Sequence, residues 1–381
     1  MATMQDVARI AQVSVSTVSY VLTGVRPISQ ATRDRVLAAM TELDYQPNAL
    51  ARGLASRRSR IIGLLLPMDE RGIGATETAF VTGATAAAVA AGYHLVLSPL
   101  GVSDLDELRR LASQRMLDGA LLMEVQLHDP RVGVLREAAV PTVLIGRTAD
   151  TDGLSYVDID FDQTVRDAVA HLVGLGHRHI VYVNHSADTI AEGYGPALRT
   201  RDAFTAAMTE HALAPLMIPA EDSAASGRAA LDTALRRDSE LTAVLAMNEN
   251  AVFGLLGELS TRGLRVPGDV SVVSMVTSPQ VAELATPPLT AMTSPGSALG
   301  RIAVETLLRH VETGDGEIHQ ELLPCVLEVR GSSGTPRTPA GSSAHPGAGG
   351  DLPAPGQKQP AAALPRDDGL EEYRLDTHQG D

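Results

Sequence analysis

The feature that most constrains this chain is an alternation. Between residues 61 and about 330, short apolar runs alternate with amphipathic helical stretches. The runs are "IIGLLL" (61–66), "HLVL" (94–97), "GALLM" (119–123), "TVLI" (142–145), "HIVYV" (179–183), "TAVLAM" (242–247) and "VSVVSM" (270–275). A strand covered on both faces needs such a continuous run, because neither face meets water. Helical patterns at 162–175, 196–211 and 249–262 lie between them. Strand–helix–strand repetition predicts doubly wound parallel sheets. At least seven strands favour two lobes over one, with a ligand cleft between them at the carboxyl ends of the strands.

The two ends differ from this body. Residues 1–46 show three short helical patterns, and 47–60 read as a polar, basic connector. The net charge of −15 hides an asymmetry. Residues 1–60 hold eight arginines against four acids, so this segment is +4 and the remainder −19. A small basic module on an acidic body points to a local polyanion contact. Residues 331–381 are rich in Pro, Gly, Ser and Ala, which predicts a disordered tail. The start, "MATMQDVARIAQ", lacks a basic segment followed by an apolar core, and no apolar run is long enough to span a bilayer. The expectation is a cytoplasmic protein with no membrane contact, associated with the nucleoid when bound to DNA.

The N-terminal patterns carry the sharpest signal. In "DVARIAQVSVSTVSYVLTG" (6–24), Val7, Ile10 and Ala11 share one face, and Val18, Val21 and Leu22 share another. Ser14 suits an N-cap, since its hydroxyl can accept from an orphan backbone N–H. Val15, Ser16, Ser19 and Tyr20 then face outward. Ser29 caps a third helix with Val36, Leu37, Met40 and Leu43 as its apolar stripe. Three short helices with a tight turn between the first two make a helix-turn-helix, whose second helix enters the major groove of double-stranded DNA.

These residues, with "ISQATRDRVLAAMTELDYQPNALARGLAS" and "IIGLLLP" after them, resemble the start of a lactose-repressor-type (LacI/GalR) regulator. Later segments resemble the same family: "VDIDFDQTVRDAVAHLVGLGHRHIVYV", "TAVLAMNENAVFGLLGELSTRGLRVPGDVSVVS", "TPPLTAM" and "ELLPCVLEVRGSSG". The resemblance implies an all-α head at 1–46, a hinge helix within 47–60, and a two-lobed α/β effector and dimerisation domain of periplasmic-binding-protein type at 61–330. It also implies a homodimer on a palindromic operator, repression as the usual mode, and a small-molecule effector such as a sugar or related metabolite.

Residue by residue, the resemblance implies base reading by Val15, Ser16 and Tyr20. It implies phosphate contacts by Ser14, Thr17, Ser19, Ser29, Thr32 and Asn48, which fix register without reading sequence. Leu54 falls where the family wedges a leucine into the minor groove and kinks the duplex. Two departures stand out in the head. Gln12 replaces the usual turn glycine, at a cost of about 1 kcal/mol if its φ is positive. Tyr20 replaces a frequent arginine, so the bidentate bond to guanine is lost. In the effector domain the resemblance implies ligand contacts by Asp160, Asn248 and Glu249, the last standing where an aspartate is usual. An arginine is expected near 200; the strict spacing falls on Thr200, flanked by Arg199 and Arg201. Val276 and Thr277 replace the family's acid pair.

Enzymatic readings find no support. There is no GxSxG elbow and no Walker lysine, and "RGIGATE" lacks the third glycine of a dinucleotide turn. No cofactor is expected. His177, His179 and His185 suggest a metal, but no cysteine lies near them and a loop flanking a strand explains them better. A solute-binding protein with a divergent, non-functional head is the alternative, since its lobes would look the same.

Overall fold

All seven apolar runs become strands in the computed structural model, which describes residues 2–23, 26–45, 58–68, 73–314 and 316–337. The first lobe contains β1 (Ile61–Leu65), β2 (His94–Ser98), β3 (Gly119–Leu122), β4 (Thr142–Ile145) and β5 (Ser155–Ile159). They pair in parallel in the order β2-β1-β3-β4-β5, and a late strand, β11 (Gln320–Leu323), adds outside β5. The second lobe repeats the order with β6 (Ile180–Asn184), β7 (Leu216–Pro219), β8 (Ala243–Ala246), β9 (Ser271–Thr277) and β10 (Thr290–Thr293), arranged β7-β6-β8-β9-β10. Its late strand, β12 (Val326–Glu328), closes the sheet antiparallel to β10. The central strands β3, β5, β6, β8 and β9 are buried along their whole length, as their unbroken apolar runs require.

Five strands have no counterpart among the seven runs. β5, "SYVDI", carries an acid at its carboxyl end, and β7, "LMIP", ends on proline. β11 and β12 are half-exposed edges with mixed composition. β10 is short and threonine-flanked. An edge strand or one that reaches into a cleft need not be apolar throughout, so periodicity alone does not reveal it.

Helices cover both faces. The first lobe has α4 (Ala75–Ala90), α5 (Leu105–Ser113) and α6 (Pro130–Glu137). The chain then crosses into the second lobe, which has α7 (Phe161–Leu175), α8 (Ala187–Ala191), α9 (Gly195–Glu210), α10 (Ala224–Arg237), α11 (Glu249–Thr261) and α12 (Pro279–Leu284). After β10 it crosses back, and α13 (Gly296–Thr313) packs against α4 and over β3, β4 and β5. A third crossing joins β11 to β12. The lobes are therefore tied by three strands of chain, and the gap between them lies at the carboxyl ends of both sheets.

The body continues past residue 330, where the sequence predicted a tail. Ser332 is fully buried; its hydroxyl donates to the Val272 carbonyl and accepts from the Thr290 N–H. The imidazole of His177 sits between Thr242, Ser271 and the Gly334 carbonyl, at 2.9, 3.0 and 2.9 Å. That segment is held by polar contacts, so its lack of large apolar residues is no measure of its order. Residues 338–381 lie outside the described residues.

One helix pair sets the first lobe's packing. A Cβ on Gly83 of α4 would stand 2.0 Å from the Ser297 carbonyl oxygen, and one on Gly300 of α13 would stand 2.2 Å from that of Phe80. The two backbones touch because both positions lack a side chain. Gly227 and Gly254 repeat the device between α10 and α11. Gly300→Val should therefore destabilise the protein by about 3 kcal/mol or more, since the helices must separate. Chemical denaturation measures it; a loss below about 1 kcal/mol would mean the helices part at little cost.

Candidate functional site

The head is built from α1 (Met4–Ala11), α2 (Val15–Thr23) and α3 (Gln30–Glu42) around buried Val7, Ala8, Ala11, Val18, Val21, Val36 and Ala39. Two positions of the expected core differ. Leu37 is 46% exposed, and Ala39 takes its place inside. Helix α1 opens on a Thr3–Asp6 capping box, in which each side chain meets the other's backbone N–H. It closes at Gln12 with φ 52° and ψ 48°, so the turn does hold a non-glycine residue in the left-handed region. The strain of about 1 kcal/mol foreseen for that departure applies.

Ser14 caps α2 by accepting from the Thr17 N–H at 3.1 Å, and its hydroxyl lies 2.8 Å from both Ser16 Oγ and Thr17 Oγ1. Ser29 caps α3 through Thr32 in the same way. These hydroxyls already form a connected array at the two helix starts, where backbone N–H groups and the helix dipole favour an anion. Val15 and Ser16 are exposed, while Ser19, Thr17 and Tyr20 are half-buried on the same helix. The Arg26 guanidinium lies 5.4 Å from the centre of the Tyr20 ring, a cation placed beside the expected base-reading side chain that sequence reasoning missed. Asn48 and Leu54 lie outside the described residues.

The second site is a cleft of about 740 Å³ between the lobes. Its walls come from the carboxyl ends of strands and the first turns of helices. The first lobe contributes Thr76, Glu77, Phe80, Glu124 and Asp158; the second contributes His185, Tyr194, Asp222, Asn248, Glu249 and Val276. Two lining residues, Glu124 (φ 55°) and Val276 (φ 50°), hold left-handed backbone conformations that non-glycine residues avoid. Such strain persists where the surrounding fold over-determines it, commonly at binding sites.

Acids dominate the cleft. Burial, reinforced by neighbouring Glu77, pushes the Glu124 carboxyl up to about 7, against the opposing hydrogen bond from the Tyr194 hydroxyl. Burial raises Glu77 and Glu249 too, and Asp222 adds to both. Asp158 is pushed up to about 6 by burial despite Arg147 at 3.1 Å and Arg199 at 4.0 Å. Burial also holds the His185 imidazole down at about 4, so the ring is neutral near pH 7, and it meets the Tyr194 ring edge-on at 5.2 Å. Arg131, the lining cation, is fully buried and committed to Asp129 and the carbonyls of Leu100, Met123 and Glu124.

The expected ligand residues are only partly brought together. Asn248 and Glu249 line the cleft; Asn248 Nδ2 donates to the Ala220 carbonyl, and Glu249 Oε1 accepts from the Ser278 N–H. Asp160 does not line it. Its carboxylate caps α7 by accepting from Gln163, and the cleft acid is Asp158, two residues earlier at the end of β5. Of the candidate arginines, Arg201 turns outward to Asp202. Arg199 turns inward, donating to the Arg147 and Thr148 carbonyls behind Asp158, and Thr200 is buried against the Pro196 carbonyl. On a helix, neighbouring residues project about 100° apart, so only one of the flanking arginines can face in. Glu77, Glu124, Asp158 and His185 were missed. Of the three histidines considered for a metal, His177 and His179 serve the body, the latter against Asp238. Among the described residues no group of three or more potential ligands is placed to hold a metal ion, and no helix is long and apolar enough to cross a membrane.

Comparison with known proteins agrees with this geometry. Residues 3–48 match the model of bacterial regulatory proteins of the lacI family, and residues 169–333 match a periplasmic binding protein-like domain. Catabolite control protein A of Priestia megaterium is 30% identical over 338 residues, covering 87% of this chain and 99% of its own. The HTH-type transcriptional regulator CelR of Thermobifida fusca is 33% identical over 342 residues, covering 87% and 98%. Among solved structures, a lac repressor dimer bound to operator and the anti-inducer ONPF aligns with a TM-score of 0.75 at 26% identity, over 87% of this chain and 99% of that one. A CelR–cellobiose complex aligns at 0.66 with 29% identity, over 87% and 100%. The relatives are transcriptional regulators rather than enzymes. With a helix-turn-helix head, two sheets of like strand order and a cleft between them, this chain belongs to the lacI family of DNA-binding transcriptional regulators.

Proposed function

We infer that this chain represses transcription by binding a palindromic operator as a homodimer, with its affinity set by a small molecule held between the lobes. The observation that carries the reading is the outer surface of α2. Val15 and Ser16 stand exposed at its start, above a hydroxyl array suited to phosphate oxygens. In this reading Val15, Ser16 and Tyr20 read base edges. Ser14, Thr17, Ser19, Ser29, Thr32 and Asn48 hold phosphates, and Leu54 opens the minor groove at the operator centre. The protein acts in the cytoplasm, on the nucleoid. The solved lac repressor is a dimer on its operator, and CelR holds cellobiose, which supports both partners by analogy.

The dimer reading also rests on exposed apolar surface. β2 is an edge strand, yet Val96 and Leu97 on it are 46% and 39% exposed. An apolar edge left open invites pairing or aggregation unless another chain covers it. Leu97→Glu should shift the protein toward monomer and weaken operator binding at a fixed protein concentration. Sedimentation velocity and operator titration check both; an unchanged dimer would place the interface elsewhere.

The recognition helix has its own test. None of Val15, Ser16 or Tyr20 can form the two-pronged bond that arginine makes to guanine. Tyr20→Arg should move the preference at one symmetric base pair per half-site toward G·C, by about 1–3 kcal/mol per contact. Thr17→Ala should instead weaken all duplexes alike. Binding-site selection from a random duplex pool, run in parallel on the native and variant proteins, reads both. An inverted repeat is the expected product. An identical half-site from Tyr20→Arg, or no inverted repeat, would count against this placement of the helix.

A further inference from the structure

The cleft's charge indicates what enters it. Glu77 stands in the first turn of α4 and Glu124 follows β3, and each carboxyl raises the proton affinity of the other's surroundings. Glu249, in the first turn of α11, feels Glu77 as a further like charge. Among the described residues the lining supplies no cation to match them. Arg131 has its guanidinium engaged by Asp129 and three carbonyls. Arg147 is turned to Asp158. Buried like charges without a counter-ion are costly, and a bound cation relieves them.

A second, independent observation points to a ligand. His185 Nε2 is shut off from solvent and has no hydrogen-bond partner. The residue lines the cleft, and burial keeps its ring neutral, so one ring nitrogen is an acceptor. Buried polar atoms are almost always paired, so an unpaired one facing a cleft marks a place for a donor.

Three ligand charges can be weighed. An anion would be drawn to the starts of α4 and α11, but Glu77 and Glu249 already occupy those first turns and would repel it. A neutral polyol could donate hydroxyl protons to the carboxylates, yet it would leave their mutual repulsion in place. A cationic nitrogen supplies both the charge and several N–H donors. Apolar Phe80, Phe161 and Val276 leave room beside the acids for the carbon frame that carries it.

We propose that the effector is a small organic cation, an ammonium or guanidinium on a compact polar or aliphatic frame, whose nitrogen sits between Glu77 and Glu124 and donates to His185. This rests on the reading that the cleft holds an effector. The nitrogen is held by charge-assisted hydrogen bonds, stronger than neutral ones in a site that excludes water. Val276, at a position where relatives place an acid, confines the charge to the first-lobe side of the cleft.

Titration calorimetry on the full chain near pH 7 tests it with matched pairs. Glucosamine is set against glucose, galactosamine against galactose, and putrescine against 1,4-butanediol. At least one amine should bind about tenfold or more tightly than its neutral partner, the scale of a close charge pair. Glu124→Gln and, as a second variant, Glu77→Gln should each erase most of that preference while thermal melting confirms that they fold. A neutral member that binds as tightly as its amine and alters operator affinity would overturn the cation assignment and leave the effector reading standing. Binding by none of the amines, or amine preference unchanged in both folded variants, would overturn the assignment as well.

Discussion

A single hydroxyl proton at Thr76 links the two lobes. Thr76 Oγ1, at the start of α4, lies 2.8 Å from the Val276 carbonyl and 3.2 Å from Glu249 Oε1, both in the second lobe. One proton cannot serve two acceptors. The shorter contact takes it, and the second becomes a full bond only when Glu249 is protonated and donates back. Burial and the neighbouring acids push Glu249 in that direction. The closure of the cleft is thus tied to the charge within it, and any ligand that changes that charge changes the contact between the lobes. Across such a gap a few hydrogen bonds suffice, because the three chain crossings already restrict how the lobes move.

The second consequence concerns where strain is kept. The packed parts of each lobe are conventional: buried strands, and helix pairs brought to backbone contact by facing glycines. Left-handed non-glycine residues stand instead at Gln12, beside the recognition helix, and at Glu124 and Val276, in the cleft. Each costs about 1–2 kcal/mol that the surrounding packing must offset. They place side chains where a regular turn or strand would not.

Much of this was legible in the sequence, and the limits have physical causes. The seven apolar runs predicted seven strands because a doubly covered strand cannot hide a charge. Ser14 and Ser29 were readable as caps because a cap is a local interaction within four residues. The left-handed turn at Gln12 was readable because a departure from glycine has one conformational meaning. The cleft was not. It is assembled from the ends of eight or more distant segments, so Glu77, Glu124 and His185 look like ordinary loop and helix residues until the sheets bring them together. Asp160 was singled out in place of Asp158 because the two lie two residues apart, one inside the strand and one capping the next helix. Sequence similarity locates such a segment without fixing which side chain enters the cleft.

The account's central claim is that ligand in the cleft and DNA at the head are coupled through one structure. Linkage makes that claim measurable without knowing the mechanism. The affinity of the tightest-binding compound should be measured on the free protein and again on the protein saturated with its selected operator. The account predicts that the two differ by a factor of about 5–150, equal to the factor by which the compound changes operator affinity. Equal ligand affinities with and without operator would contradict it.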